Sequence, residues 1–168
     1  MSLDKIAIVV ITYNPNLEEF KHNIKSYINQ VPLIVIVDNS TNKNIQNEIK
    51  SISNEYNNIF IITLGDNLGI AKAQNIGIEQ NFDYIIEMDQ DSCLPNNYVN
   101  DIFESYKILE SQDNKIAGIG PLAINKETKE IYHEVEDSST FLIEVSQTLS
   151  SGFFIPKKSF EIKMKIFL

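Results

Sequence analysis

A chain of 168 residues that is 43% hydrophobic and 22% charged has room for one domain with a buried core, and a net charge of −9 excludes a general affinity for nucleic acid. Arginine is absent, so an anionic ligand must be held by a metal ion, backbone N–H groups or a lysine rather than by a guanidinium fork. A single cysteine, Cys93, excludes an internal disulfide, and no stretch approaches the roughly 18–20 apolar residues of a membrane span.

Residues 6–12 (IAIVVIT) form a continuous apolar, β-branched run, the pattern of a strand buried on both faces. Asn14-Pro15 ends it, and Asn16 with Glu19 has the spacing of a helix cap and its capping-box partner. Leu17, Phe20, Ile24, Tyr27 and Ile28 then share one helical stripe. Residues 33–37 (LIVIV) read as a second buried strand ending at Asp38-Asn39-Ser40, and residues 41–58 as a helix with Ile45, Ile49 and Ile52 inward. A third strand is expected over residues 59–64, a turn over 65–69, a helix over 70–80 and a fourth strand over 84–88, closed by Asp89-Gln90-Asp91. Pro95 suits the start of a helix whose stripe is Val99, Ile102, Phe103 and Tyr106. After residues 116–120 the rhythm changes. A hairpin is expected over 123–133, with further strands over 141–145 and 149–155. Strands alternating with helices on short connections predict an α/β domain with a mainly parallel sheet flanked by helices and a few antiparallel strands added toward the C-terminus.

In such sheets ligands collect outside the carboxyl ends of the strands, and each polar cluster falls there. Asp89 and Asp91, one residue apart after a buried strand, make a compact oxygen site suited to Mg2+ or Mn2+ bridging to phosphates; equally, Asp-x-Asp is common in plain loops. Asp38 is placed to accept from a base imide or ribose hydroxyl, or to cap its own loop. Tyr13 is a candidate to stack on a nucleobase or to pack in the core. Gly69, Ala73 and Gly77 recur at four-residue spacing and leave one helical face bare for a backbone or a ligand. Asn75 is placed to bond back to the loop, while Lys72 is a phosphate contact or a solvated lysine. His22 and His133 lack the partners of a zinc site, and Cys93 has no neighbouring histidine to activate it.

Thr12-Tyr13-Asn14-Pro15, Asp38-Asn39-Ser40, Asn67-Leu68-Gly69 through Asn75-Ile76-Gly77, and Met88-Asp89-Gln90-Asp91-Ser92 stand in the order and spacing of glycosyltransferase family 2, which the chain resembles from about Ile6 to about Gly152. The Tyr-Asn-Pro and Asp-Gln-Asp-Ser versions look like its bacterial rhamnosyltransferase branch. The resemblance implies a GT-A fold: a Rossmann-like nucleotide-sugar-binding half, here residues 6–120, and the start of an acceptor-binding half, residues 121–168, within a single domain. By position, Thr12, Tyr13, Asn14, Asp38, Asn67, Gly69, Asn75 and Asp89 would bind the donor nucleotide, Asp89 and Asp91 a Mg2+ or Mn2+ ion, and Ser151-Gly152 would border the donor sugar or acceptor.

The implied reaction is inverting transfer of a sugar from a dTDP- or UDP-sugar to a polysaccharide or lipid-linked saccharide. In the family a catalytic carboxylate follows the Ser-Gly segment. The only carboxylate after Gly152 is Glu161, in basic and apolar surroundings, so the base is expected beyond Leu168 in a longer protein. A truncated, non-catalytic nucleotide-sugar-binding protein is the alternative. The cytoplasm, including the inner face of the cell membrane through peripheral association, is the expected location. Apolar residues at the C-terminal end offer a route to a homodimer.

Overall fold

A computed structural model describes residues 3–80, 82–112, 116–121, 128 and 149–161. After a short 3-10 turn, strand β1 (Ile6–Thr12) leads into helix α1 (Leu17–Lys25), strand β2 (Leu33–Asp38), helix α2 (Lys43–Glu55) and strand β3 (Ile59–Thr63). Helix α3 (Ile70–Ile78), strand β4 (Tyr84–Asp89) and helix α4 (Tyr98–Ser111) follow, then strand β5 (Phe153–Pro156) and helix α5 (Lys157–Glu161). The apolar β-branched runs become the strands because both their faces are covered, and β1 and β2 are buried along almost their whole length. Two asparagines start helices as side-chain caps. Asn16 Oδ1 accepts from the backbone N–H of Glu18 and Glu19 at 3.1 and 3.2 Å, and Asn42 Oδ1 accepts from that of Asn44 at 2.9 Å.

The strand order is β3-β2-β1-β4-β5, parallel except for β5, which runs antiparallel to β4. The chain steps from β1 to β2 to β3 in one direction and then returns across the sheet to lay β4 against the free side of β1. Right-handed crossovers dictate that the helices of the outward and return steps lie on opposite faces. One face therefore carries Ile6, Ile8, Val10, Ile34, Ile36 and Ile86 with the inward residues of α1, α2 and α4. The other carries Val9, Val35, Val37 and Ile85, where among the described residues α3 is the helix that packs on them, through Ala73 and Ile78. One helix cannot span the whole second face, and among the described residues no helix covers the carboxyl end of β4. That gap locates the site.

The small-residue stripe of α3 serves the sheet. A methyl group on Gly77 would collide with Val9 Cγ1 and approach Val37 Cγ2 to 3.2 Å. Gly69 differs: its φ of +83° demands glycine, and an added Cβ would meet nothing within 4 Å. Gly77→Ala is thus expected to lift α3 from the strands and destabilise the chain by about 1–3 kcal/mol, read as a lower thermal midpoint.

Two expectations shift in detail. Pro95 does not open α4; it lies in the turn before it, and the residue preceding the helix is Asn97 in the left-handed region at φ 63°. The strand expected from residue 149 begins at Phe153, because Gly152 turns at φ +81° and donates its N–H to the Glu87 carbonyl at 2.8 Å. Apart from Thr128, the hairpin expected over 123–133, the strand over 141–145, His133 and the apolar end 162–168 lie outside the described residues.

Candidate functional site

Strand register fixes what stands together at the carboxyl rim. Thr12 pairs with Asp38, Asp38 with Thr63, and Ile11 with Asp89, so the polar tips of β1, β2, β3 and β4 share one edge. Between β1 and β4 the chain's direction across the sheet reverses, which makes a crevice at the strand ends. A cavity of about 480 Å3 opens there, within the range of small-ligand sites. Its walls include Tyr13, Asn39, Asn67, Gly69, Ile70 and Gln74 on one side and Glu87, Asp89, Gln90, Asp91 and Ser150 on the other.

Asparagine side chains hold the rim loops in place. Asn39, buried, donates from Nδ2 to Asn67 Oδ1 at 2.9 Å and accepts the Leu68 N–H at 2.7 Å, while Asn67 Oδ1 also accepts the Gly69 N–H at 3.0 Å. This clasp fixes the turn that carries Asn67 and Gly69. Asn39→Ala is expected to cost about 1–2 kcal/mol and to speed amide exchange at Leu68 and Gly69. Unchanged exchange there would mean the turn holds itself. Asn14, at φ 42°, binds the Thr41 and Asn42 N–H groups through Oδ1 at 3.2 and 3.1 Å, and its own N–H donates to Ser40 Oγ at 2.8 Å. Gln90 Oε1 accepts the Tyr13 N–H at 2.8 Å, joining the loop after β1 to the loop after β4. The Tyr13 side chain stays 47% exposed, a free aromatic face at the cavity wall.

Asp89 and Asp91 both line the cavity. Burial, and next the negative charge of Asp91, raises the Asp89 carboxyl above the ordinary range, partly offset by a hydrogen bond with Ser150. Two like charges facing one cavity attract a cation, and a pair of carboxylates leaves room for the water and phosphate oxygens that Mg2+ or Mn2+ prefers. Among the described residues no cluster of three or more His, Cys, Asp or Glu offers an all-protein metal cage. The donor set therefore fits a hard cation shared with a phosphorylated ligand.

The remaining expected residues stand behind or outside this wall. Thr12 and Asp38 are fully buried; Thr12 Oγ1 donates to Asp38 Oδ1 at 3.2 Å, and that oxygen also accepts the Ser40 N–H at 3.0 Å. Asp38 Oδ2 is buried without a hydrogen-bond partner among the described residues. Asn75 is exposed and off the cavity, and the loop-holding role expected of it belongs to Asn39. Lys72 is likewise exposed and off the cavity. Ser151 and Gly152 lie against β4, where Ser151 Oγ accepts the Asp89 N–H at 3.4 Å. Helix α5, which contains Glu161, starts beside Tyr84 at the opposite end of β4. Cys93 is exposed, with its thiol 3.2 Å from Asn23 Oδ1.

Residues 7–163 match the model of glycosyl transferase family 2. The chain belongs to that family. It is 33% identical over 175 residues to the dTDP-rhamnosyl transferase RfbF of Shigella flexneri, covering 94% of this chain and 55% of that protein. It thus spans about half the length of this curated relative. The fold is GT-A. S. aureus TarS 1-349, solved with UDP-GlcNAc, superposes with a TM-score of 0.64 at 16% identity, over 95% of this chain and 47% of that one. The Pyrobaculum calidifontis mannosyltransferase PcManGT, solved with GDP-Man and Mn2+, gives a TM-score of 0.57 at 13% identity, over 72% and 36% of the two chains. Among the described residues no helix is long and apolar enough to cross a membrane.

Gln74 and Glu87 line the cavity without having been singled out from the sequence, and Asn39, Gln90 and Ser150, which also line it, stood there only as members of the short motifs. One signal was available. A glutamate inside the apolar run YIIEMD is a charge in a strand expected to be buried on both faces, and such a charge calls for a reason.

Proposed function

We propose that this chain is the donor-binding part of an inverting, metal-dependent glycosyltransferase that transfers rhamnose from dTDP-rhamnose to a saccharide acceptor. The observation that carries this is the cavity at the β1–β4 reversal, where an exposed aromatic ring and two carboxylates meet. The acidic pair is placed for a cation and a diphosphate, Tyr13 for the flat face of a base, and the relative's donor supplies the sugar.

In the proposed reaction an acceptor hydroxyl forms a new bond to the anomeric carbon as the bond from that carbon to the diphosphate oxygen breaks, and the nucleoside diphosphate leaves with the electron pair. Asp89 and Asp91 would hold Mg2+ or Mn2+, which when bound supplies positive charge to the departing diphosphate. Gln90 keeps Tyr13 in register with the acidic loop, and the Asn39–Asn67 clasp keeps the opposite wall closed. The buried Asp38 Oδ2, beside Thr12 at the same rim, would receive an imide N–H of the base once a side-chain rotation uncovers it. Ser151 and Gly152 border the sugar end beside Asp89. The acceptor's proton needs a base on the far side from the diphosphate. We place that base beyond Leu168, since the helix carrying Glu161 begins at the wrong end of the sheet.

Calorimetry with dTDP, UDP and GDP, each with and without Mn2+, tests the reading. Metal-enhanced binding that favours dTDP is expected. A preference for UDP would redirect the sugar assignment, and failure of all three to bind would remove the proposal.

A further inference from the structure

Two polar side chains that line the cavity each keep an oxygen unpaired among the described residues. Gln74 lies on α3 one turn beyond Ile70, so the two share a helical face, and both line the cavity. Glu87 lies on β4 two residues before Asp89 and on the same sheet face, in register with Val9, which also lines the cavity. Their residues are only 5% and 4% exposed, and the Oε1 atom of each is shielded from solvent with no hydrogen-bond partner among the described residues. On the same sheet face the wall around them is apolar, formed by Val9, Ile11 and Ile70.

Buried acceptors without donors destabilise a fold, and a pair of them facing one cavity from a helix and a strand does not arise from packing needs, since leucine would fill either place. A carboxamide oxygen accepts hydrogen bonds, and so does the carbonyl oxygen of a carboxyl group even while the group holds a proton, so the missing partner is a donor. The terminal torsion of glutamine and glutamate is soft, and a small rotation turns each oxygen into the cavity. A ring with hydroxyl donors on its edge and apolar faces suits two acceptors set in an aliphatic wall. Resting on the reading of this cavity as a nucleotide-sugar site, we propose that Gln74 and Glu87 are specificity-determining residues that accept hydrogen bonds from sugar-ring hydroxyls of the donor. Those hydroxyls belong either to the pentose of the nucleoside or to the transferred glycosyl ring.

The test uses the 168-residue chain with Gln74→Leu, Glu87→Leu and Glu87→Gln, titrated with dTDP, UDP and dTDP-rhamnose in Mn2+, with thermal unfolding of each ligand-free protein. The leucine variants are expected to bind about tenfold more weakly while the free protein melts about 3 °C higher or more, because each removes an unpaired buried acceptor. Glu87→Gln keeps an acceptor and is expected to retain most of the affinity. Equal losses for dTDP and dTDP-rhamnose assign the pair to the pentose, and a loss confined to dTDP-rhamnose assigns it to the glycosyl ring; either supports the proposal. Wild-type-like affinity in both leucine variants, or weaker binding accompanied by a lower melting temperature, overturns it. Absence of any binding by the wild-type chain overturns the nucleotide-sugar reading itself, and this proposal with it.

Discussion

Asp91→Ala is expected to abolish the metal dependence proposed for nucleotide binding: at saturating Mn2+ the variant should bind dTDP about 100-fold more weakly than the wild type, while in EDTA the two should bind alike. Asp91 is exposed at the cavity rim, and among the described residues no hydrogen bond or ion pair ties its side chain to the fold, so its removal is expected to leave stability within about 0.5 kcal/mol. The effect is therefore confined to what the carboxylate holds. In a protein of net charge −9 without arginine, a diphosphate entering an acidic cavity meets repulsion unless a cation intervenes. A lost carboxylate ligand worth about 3 kcal/mol corresponds to the hundredfold change. Removing the Asp91 charge also lets the Asp89 carboxyl ionise more readily, since that charge is one of the causes holding it up. Calorimetry across a Mn2+ titration reads both. Equal metal dependence in variant and wild type would place the cation elsewhere.

Most of the fold was legible because its strands are simple: uninterrupted β-branched runs such as IAIVVIT leave little choice beyond a doubly covered strand, and asparagine caps mark the helix starts. The outline of the rim followed from one rule about strand ends, and Tyr13, Asn67, Gly69, Asp89 and Asp91 all line the cavity there. What escaped depends on which face a residue takes. The Gly69–Ala73–Gly77 stripe reads identically whether it approaches a sheet or a ligand, and only the Val9 and Val37 methyls beneath Gly77 decide. Gln74 was hidden inside the small-residue stripe, and nothing in Asp38-Asn39-Ser40 marks Asn39 as the residue that clasps Asn67 and Leu68. Gly152 broke a strand by a hydrogen bond to the Glu87 carbonyl, a partner 65 residues away in sequence. Long-range partners of that kind leave no local trace.

Glu87 gives the second large effect, and its sign follows from its setting. Burial first, and the charge of Asp89 second, push its carboxyl up to about 7 from an ordinary 4.5. Between those two pH values the folded chain retains a proton that the unfolded chain has released. Stability linked to that proton is whole below about pH 4.5 and is lost as the pH rises through 7. Glu87→Gln keeps the shape and cannot ionise, so variant and wild type should be equally stable at pH 4.5 on this account. Their difference should grow to about 3 kcal/mol in the variant's favour by pH 8, a gain of roughly 6–10 °C in thermal midpoint. Denaturation in EDTA at pH 4.5, 6 and 8 measures it, and a pH-independent difference would mean that Glu87 keeps an ordinary carboxyl. A cation at Asp89 supplies the opposite charge and favours the ionised carboxylate two residues away. Adding Mn2+ at pH 8 is therefore expected to narrow the gap between the two proteins. A gap untouched by Mn2+ would argue that the ion and Glu87 do not share one cavity.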